Sequence, residues 1–223
     1  MMAYKYPDAV LMIFCKAPVA GQVKTRLTTQ LTAEQAMQLH IELTQRTLNL
    51  ATRINLCPVQ LWCTPSTDHA FFTASAQRYP VILQQQQQDP DLGARMHNAF
   101  CRTLKIYSRA LLIGCDCPSL TEHDLEEALT ALSQRTCCVL GPAEDGGYVL
   151  IGLNQPHPEL FDNMPWGTEL VLEQTRSRIQ HNNLLYHALK QQWDLDTPKD
   201  LARYQALNLN PEINGHSCLI YSL

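Results

Sequence analysis

Three cations fall within eleven residues of one another in Cys15-Lys16-Ala17-Pro18-Val19-Ala20-Gly21-Gln22-Val23-Lys24-Thr25-Arg26-Leu27. Loop amides combined with Lys and Arg are how a chain grips a di- or triphosphate. Lys16, Lys24 and Arg26 are therefore candidate phosphate ligands, with Pro18 and Gly21 shaping the loop. The spacing is neither the G-x4-G-K-[ST] of a Walker A loop nor G-x-G-x-x-G. An ordinary solvated basic loop is the competing reading.

Acids follow at other turns. In Gly114-Cys115-Asp116-Cys117-Pro118-Ser119-Leu120, Asp116 comes just past an apolar run and is held between Gly and Pro. That is a good position for a divalent ion bridging phosphates. A helix cap is the plainer role, but Thr121 already fills it. In Gly141-Pro142-Ala143-Glu144-Asp145-Gly146-Gly147-Tyr148, paired acids precede two glycines. Glu144 or Asp145 is a candidate to take a proton or hold a sugar hydroxyl, and Gly146 and Gly147 would let backbone approach a ligand. A simple hairpin turn explains the same residues equally well. Trp166, in Pro165-Trp166-Gly167-Thr168, is a candidate to line a pocket with Tyr148 and stack on a ring. Finally, Asp196 in Trp193-Asp194-Leu195-Asp196-Thr197-Pro198-Lys199-Asp200 is a candidate second metal carboxylate, with Asp200 serving a helix start.

These segments must be carried by strands and helices, and the chain alternates between the two. Apolar runs at Ala9–Phe14, Val59–Cys63, Pro80–Leu83, Ala110–Gly114, Cys137–Gly141 and Tyr148–Leu153 read as strands. Helices are expected from the capping box at Thr32 (apolar face Ala36, Leu39, Leu43, Thr47, Leu50), over Leu92 to about Lys105, and from Thr121 to about Ser133. Two more run from Thr168 to about His181 and from Thr197-Pro198 onward. Such alternation means an α/β sandwich with a mainly parallel sheet, whose ligands bind beyond the carboxyl ends of the strands. The Gln84–Gln88 run reads as a polar loop or strand end. The residues from Asn208 read as a surface-wrapping tail.

Composition narrows the class. With 223 residues, 45% apolar, 17% charged and a formal net charge of -4, the chain has the size and balance of one folded domain. Disorder is disfavoured, and so is a basic nucleic-acid module. No apolar run reaches about 18 residues, so no membrane span is expected. The first residues read as the lead into a strand, not a secretory signal. Nine cysteines, an odd number, read as reduced thiols of a cytoplasmic protein. Cys115-x-Cys117 and Cys137-Cys138 lack zinc-site spacing.

Taken together, Phe14–Pro18 through Lys24–Leu27, Asp91-Leu92-Gly93-Ala94-Arg95-Met96, Gly114–Leu120, Gly141–Tyr148, Pro165–Thr168 and Asp194–Pro198 resemble the bacterial family of GT-A-like transferases known as DUF2064. That family is related to the molybdenum-cofactor guanylyltransferase and 2-phospholactate guanylyltransferase group. The resemblance covers about residues 9–205. It implies a single GT-A-like, Rossmann-like three-layer α/β/α domain of the nucleotide-diphospho-sugar transferase type over residues 1–223, with residues 206–223 as a tail. It also implies that the first loop and Arg95 meet a nucleotide, and that Asp116 and Asp196 hold Mg²⁺ or Mn²⁺. The expected activity is metal-dependent glycosyl transfer from a nucleotide-diphospho-sugar to a small-molecule acceptor. Because no Asp-x-Asp surrounds Asp116, nucleotidyl transfer from an NTP with pyrophosphate release stays open. A catalytically silent nucleotide-binding module is the third reading.

Overall fold

In the computed structural model, which describes residues 3–133 and 135–209, β1 (Ala9–Lys16) is buried along nearly its whole length. An unbroken apolar strand has no face to give to water, so helices must cover both sides. The chain continues through α1 (Ala33–Arg53), β2 (Val59–Thr64), α2 (Ala70–Arg78), β3 (Val81–Gln85), α3 (Leu92–Thr103) and β4 (Arg109–Ile113). It then forms α4 (Glu122–Leu132), β5 (Cys138–Pro142), β6 (Tyr148–Leu153), α5 (Val171–His181), β7 (Tyr186–Ala188) and α6 (Pro198–Leu209), with 3-10 turns at Thr25–Leu27 and Pro158–Leu160.

The strands form one sheet in the order β3-β2-β1-β4-β6-β5-β7. Only β6 runs against its neighbours; the other pairings are parallel. One core joins Leu11, Ile13 and Leu111 of the sheet to Leu48 of α1, Phe72 of α2 and Leu125 and Leu129 of α4. The opposite core joins Val10, Met12 and Leu140 to Met96 and Phe100 of α3 and Ile179 of α5. The result is the three-layer α/β/α arrangement expected from the resemblance. The order reverses between β1 and β4, and in open parallel sheets that switch point opens a crevice for ligands at the carboxyl ends.

A third, smaller core fixes what lies in that crevice. Leu27 of the first loop, Leu39 and Leu43 of α1, Trp193 and Leu195 of the segment before α6, and Leu201 and Tyr204 of α6 pack together. Residues about 170 positions apart in sequence are thereby brought to one place.

Local signals set most element starts. Both expected capping boxes form: Thr32 with Gln35 opens α1, and Thr121 with Asp124 opens α4. Two elements escape the pattern. α2 buries only Phe72 and Ser75 and is capped by His69, whose ring accepts from the Phe71 amide. β7 is a three-residue edge strand with mostly exposed side chains. Several boundaries also move, among them the end of β1, which runs on to Lys16. β3 takes in Gln84 and Gln85, and α5 begins at Val171, three residues after the expected Thr168. The expected tail falls largely outside the described residues, although Ala206–Leu209 belong to α6.

Candidate active site

The loop after β1 closes on itself before it meets anything else. The Lys16 ammonium donates to the Gln22 carbonyl at 2.9 Å, and the Ala17 amide donates to the Thr64 carbonyl. Pro18 is buried, so it shapes the loop from beneath and does not face a ligand. Gly21 turns the chain at φ +77 with open space where a Cβ would stand. Lys24 follows in left-handed conformation (φ 49) and starts the 3-10 turn that drops Leu27 into the third core.

The loop then meets the acids. The Lys24 ammonium lies 2.8 Å from Asp116 Oδ1 and also donates to the Leu195 carbonyl. Its side chain is 2% exposed, whereas Asp116 is 43% exposed. Lys24, expected at the phosphates, is thus turned inward as a bridge between the segment after β4 and the segment before α6. Its short reach into a buried niche, with an anion and a carbonyl as partners, is the physical reason. Arg26 pairs with Asp196 at 2.6 Å across an exposed surface. The Leu195 amide donates to the Asp116 carbonyl, and the Ser119 hydroxyl bonds both backbone groups of Trp193.

Asp194, two residues before the expected Asp196, is the more perturbed acid of this segment. Burial first, and then the carboxylates of Asp145, Asp196 and Asp116, push its pKa from 3.8 up to about 6. A pattern of two acids one residue apart at a strand end was the available signal. Because the folded chain holds this proton more tightly than the unfolded chain, the contribution of Asp194 to stability is fullest below about pH 4. It is lost as pH rises through about 6. Thermal melts without metal should therefore show Tm falling between about pH 4 and pH 6. Asp194→Asn should flatten that fall, and an unchanged slope would contradict the assignment.

The residues after β5 behave differently. Glu144 pairs with Arg203 of α6 at 2.9 Å, and that guanidinium stacks over Trp193 at 4.3 Å. Asp145 closes an Asx turn by accepting from the Gly147 amide at 2.9 Å, while its charge is felt by Asp194. Gly146 and Gly147 do not make room for a ligand. A Cβ on Gly146 would lie 2.3 Å from the Glu169 carbonyl oxygen, and one on Gly147 3.2 Å from the Asp145 carboxylate. Gly146 also sits at φ +86. Gly146→Ala combines a forbidden contact with a strained backbone and should cost about 3 kcal/mol. Gly21→Ala, strained but unobstructed, should cost about 1 kcal/mol. Denaturant melts of the two variants check the contrast, and equal losses would contradict it.

A second group surrounds the start of α3, which Asp91 caps by accepting from the Ala94 amide. Arg95 donates to Gln86, and buried Gln86 in turn donates to the Trp62 carbonyl. The glutamine run thus contributes one side chain that fixes Arg95. Trp166 packs so close to Gly93 that a Cβ there would lie 2.8 Å from its indole nitrogen. Tyr148 meets Trp166 edge-on, with ring centroids 6.2 Å apart. Burial pushes the Tyr148 phenol far up, so it stays protonated at neutral pH and is no base. All eight cysteines among the described residues are free thiols. Burial raises Cys57, Cys63 and Cys138 to about 12.

The family DUF2064, described as uncharacterized proteins conserved in bacteria, matches residues 47–168, more than half of the chain. This chain belongs to DUF2064. The match contains Arg95, Asp116 and the Glu144–Tyr148 turn, while the cationic loop and Asp194–Pro198 lie outside it. A candidate nucleotide-diphospho-sugar transferase from Desulfovibrio desulfuricans G20 is 28% identical to the DUF2064 chain. Its structure superposes with a TM-score of 0.84, covering 95% of this chain and 92% of that one. More distant likenesses show the fold alone. A 4-diphosphocytidyl-2C-methyl-D-erythritol synthase from Anaerococcus prevotii DSM 20548 matches at 8% identity and TM-score 0.56, covering 90% and 97% of the two chains. A cytidylyltransferase from Leptospira borgpetersenii matches at 12% identity and 0.52, covering 97% and 100%. No curated protein matches the chain.

The acids of the DUF2064 protein suit a hard divalent cation. Asp116, Asp194 and Asp196 offer oxygen donors only, the set that Mg²⁺ and Mn²⁺ prefer. Asp194 is destabilised as an anion by burial first and then by its acidic neighbours, and a cation would relieve the part due to repulsion. Among the described residues no three such side chains already stand as a metal-ligating group. Lys24 and Arg26 hold Asp116 and Asp196 in separate ion pairs. The exposed Arg26 pair is the weak one, worth at most about 1 kcal/mol.

Proposed function

We propose that this DUF2064 protein is a divalent-cation-dependent glycosyltransferase that draws a sugar from a nucleotide-diphospho-sugar and passes it to a small-molecule hydroxyl. The observation that carries the reading is the junction of the cationic loop with the late acids. Lys24 bridges Asp116 to Leu195, and Arg26 meets Asp196. Cations and carboxylates gathered at the mouth of a parallel sheet are what a diphosphate bridged by a divalent ion would need. The likeness to the Desulfovibrio desulfuricans protein supports the same class of donor.

In this reading Asp116, Asp194 and Asp196 would hold the cation once Arg26 releases Asp196, and the cation would supply Lewis-acid stabilisation of the leaving diphosphate. Lys16 and Arg26, both exposed, neutralise the phosphates from the loop side once Arg26 leaves Asp196. Lys24 keeps the loop and the acids in register. Arg95 and Trp166, around the start of α3, hold the nucleotide-sugar from the other side. Asp145 takes the proton of the acceptor hydroxyl as its oxygen bonds to the anomeric carbon and the bond to the diphosphate breaks. A nucleoside diphosphate leaves. Glu144, tied to Arg203, orients the turn that carries Asp145.

One observation favours a second reading, nucleotidyl transfer from an NTP. The cations follow β1 directly, where they would meet the α-phosphate under attack. Product analysis separates the two. Incubation with a panel of nucleotide sugars and NTPs in Mn²⁺ should yield nucleoside diphosphate from one nucleotide sugar. Pyrophosphate from an NTP would replace glycosyl transfer by nucleotidyl transfer. Turnover of neither would leave nucleotide binding without catalysis.

A further inference from the structure

Helix α1 crosses behind this site with a buried polar stripe in place of part of the apolar face that its periodicity suggests. His40, Thr44 and Thr47 are 5%, 0% and 5% exposed, at positions i, i+4 and i+7 of one helical face. Packing alone would be served better by apolar residues, since each buried polar group must find a partner.

Their partners are informative. His40 Nε2 lies 2.9 Å from the Lys16 carbonyl oxygen. A carbonyl can only accept, so this nitrogen carries the proton. The Thr47 hydroxyl reaches the Cys115 carbonyl at 3.4 Å while bonding Leu43 within the helix. Arg46 donates to the Pro118 carbonyl at 3.1 Å. Thr44 lies 3.6 Å from Cys15 Sγ and donates to the His40 carbonyl. The other nitrogen of His40, Nδ1, faces Asp116 Oδ1 at 3.9 Å.

The carbonyls outside the helix that His40, Thr47 and Arg46 reach belong to Lys16, the last residue of β1, and to Cys115 and Pro118, on either side of Asp116. The β1–β4 ladder pairs Ala9 with Arg109 through Ile13 with Ile113 and stops there. Lys16 and Asp116 each lie three residues beyond that last rung. No ladder therefore sets their separation, and the polar stripe of α1 spans the gap.

We propose that α1 is the positioning element of the site, with His40 as its principal residue. It sets the separation of Lys16 from Asp116, so that one diphosphate can be gripped by the loop and by the cation together. This inference rests on the nucleotide-diphosphate reading above.

Inorganic pyrophosphate with Mn²⁺ probes that grip without regard to base or sugar. Dissociation constants are measured for Mn²⁺ alone, and for pyrophosphate in saturating Mn²⁺, on wild type, His40→Leu, His40→Gln and Arg46→Met. In His40→Leu, Mn²⁺ alone should bind within about threefold of wild type, because the carboxylates are untouched, while pyrophosphate binding weakens at least tenfold. His40→Gln, whose amide can still donate to the Lys16 carbonyl, should recover pyrophosphate affinity to within about threefold. Arg46, exposed and safe to replace, should cost about threefold or more in pyrophosphate affinity with Tm unchanged. This arm keeps the test intact should His40→Leu fail to fold. Wild-type pyrophosphate affinity in both His40→Leu and Arg46→Met overturns the proposal, as does a His40→Gln variant no better than His40→Leu. Absence of Mn²⁺-dependent pyrophosphate binding in wild type overturns the nucleotide reading itself, and the role of α1 with it.

Discussion

Asp116→Asn is expected to abolish cation-dependent nucleotide binding while leaving the fold in place, whereas Asp116→Ala should damage both. The difference lies in Lys24. Its ammonium is buried with two partners, Asp116 Oδ1 and the Leu195 carbonyl. An asparagine keeps a carbonyl oxygen where Oδ1 stands, so the ammonium still has an acceptor. Alanine removes it and leaves a buried cation with one neutral partner. Breaking a buried pair from one side costs about 3–5 kcal/mol. Here the half-exposed carboxylate lets some water in, which brings the expected loss to about 2–4 kcal/mol. For a chain of this size each kcal/mol moves Tm by about 2–4 °C. Asp116→Ala should thus melt roughly 4–16 °C below wild type, and Asp116→Asn within a few degrees of it. Calorimetric melts, with and without Mn²⁺ and nucleotide, read both effects. An Asp116→Asn variant that keeps its Mn²⁺-dependent shift would contradict the metal assignment.

Lys24→Met should weaken nucleotide binding and yet strengthen the binding of Mn²⁺ alone. As placed, Lys24 competes with any cation for Asp116, and its removal frees a carboxylate that already reaches solvent. A tenfold gain in Mn²⁺ affinity, about 1.4 kcal/mol, is the expected size. The methionine covers the apolar stem of the lost side chain, so the stability loss should stay near 1–2 kcal/mol. Had Lys24 been a direct phosphate ligand, Mn²⁺ affinity would be unchanged or lower and only nucleotide binding would fall. Titration of Mn²⁺ followed by electron paramagnetic resonance distinguishes the two. A reduced or constant Mn²⁺ affinity in Lys24→Met would refute the inward-facing bridge.

Much of the fold was legible locally. Capping boxes at Thr32 and Thr121 and the unbroken apolar strands are written within a few residues of one another, so they can be read without knowing the fold. α2 and β7 could not be read this way, because one helix buries two residues and the strand is a three-residue edge. The same distinction runs through the site. Asp116 and the cationic loop stood out by residue type, and the structure does bring them together. What the loop cations face could not be read, since Lys24 meets Asp116 only through a core formed by Leu27, Leu43, Trp193 and Leu201. Gly146 and Gly147 looked like room for a ligand and instead serve close packing against Glu169 and Asp145. His40 and Thr44 were invisible among the apolar positions of α1. Their purpose depends on carbonyls at the ends of two strands that are separated in sequence from each other and from the helix.

Under the proposed function the DUF2064 protein binds a nucleotide diphosphate through a cation held by Asp116. The most direct measurement is a thermal-shift panel of nucleotide sugars, nucleoside diphosphates and NTPs, each in Mn²⁺ and in EDTA, on wild type and Asp116→Asn. A ligand at 100 times its dissociation constant adds about 2.7 kcal/mol of stability, a shift of several degrees. Such a shift is expected in wild type with Mn²⁺ for one nucleotide sugar and its diphosphate, and none in EDTA or in Asp116→Asn. A shift that persists in EDTA and in the variant, or no shift with any nucleotide, would contradict it.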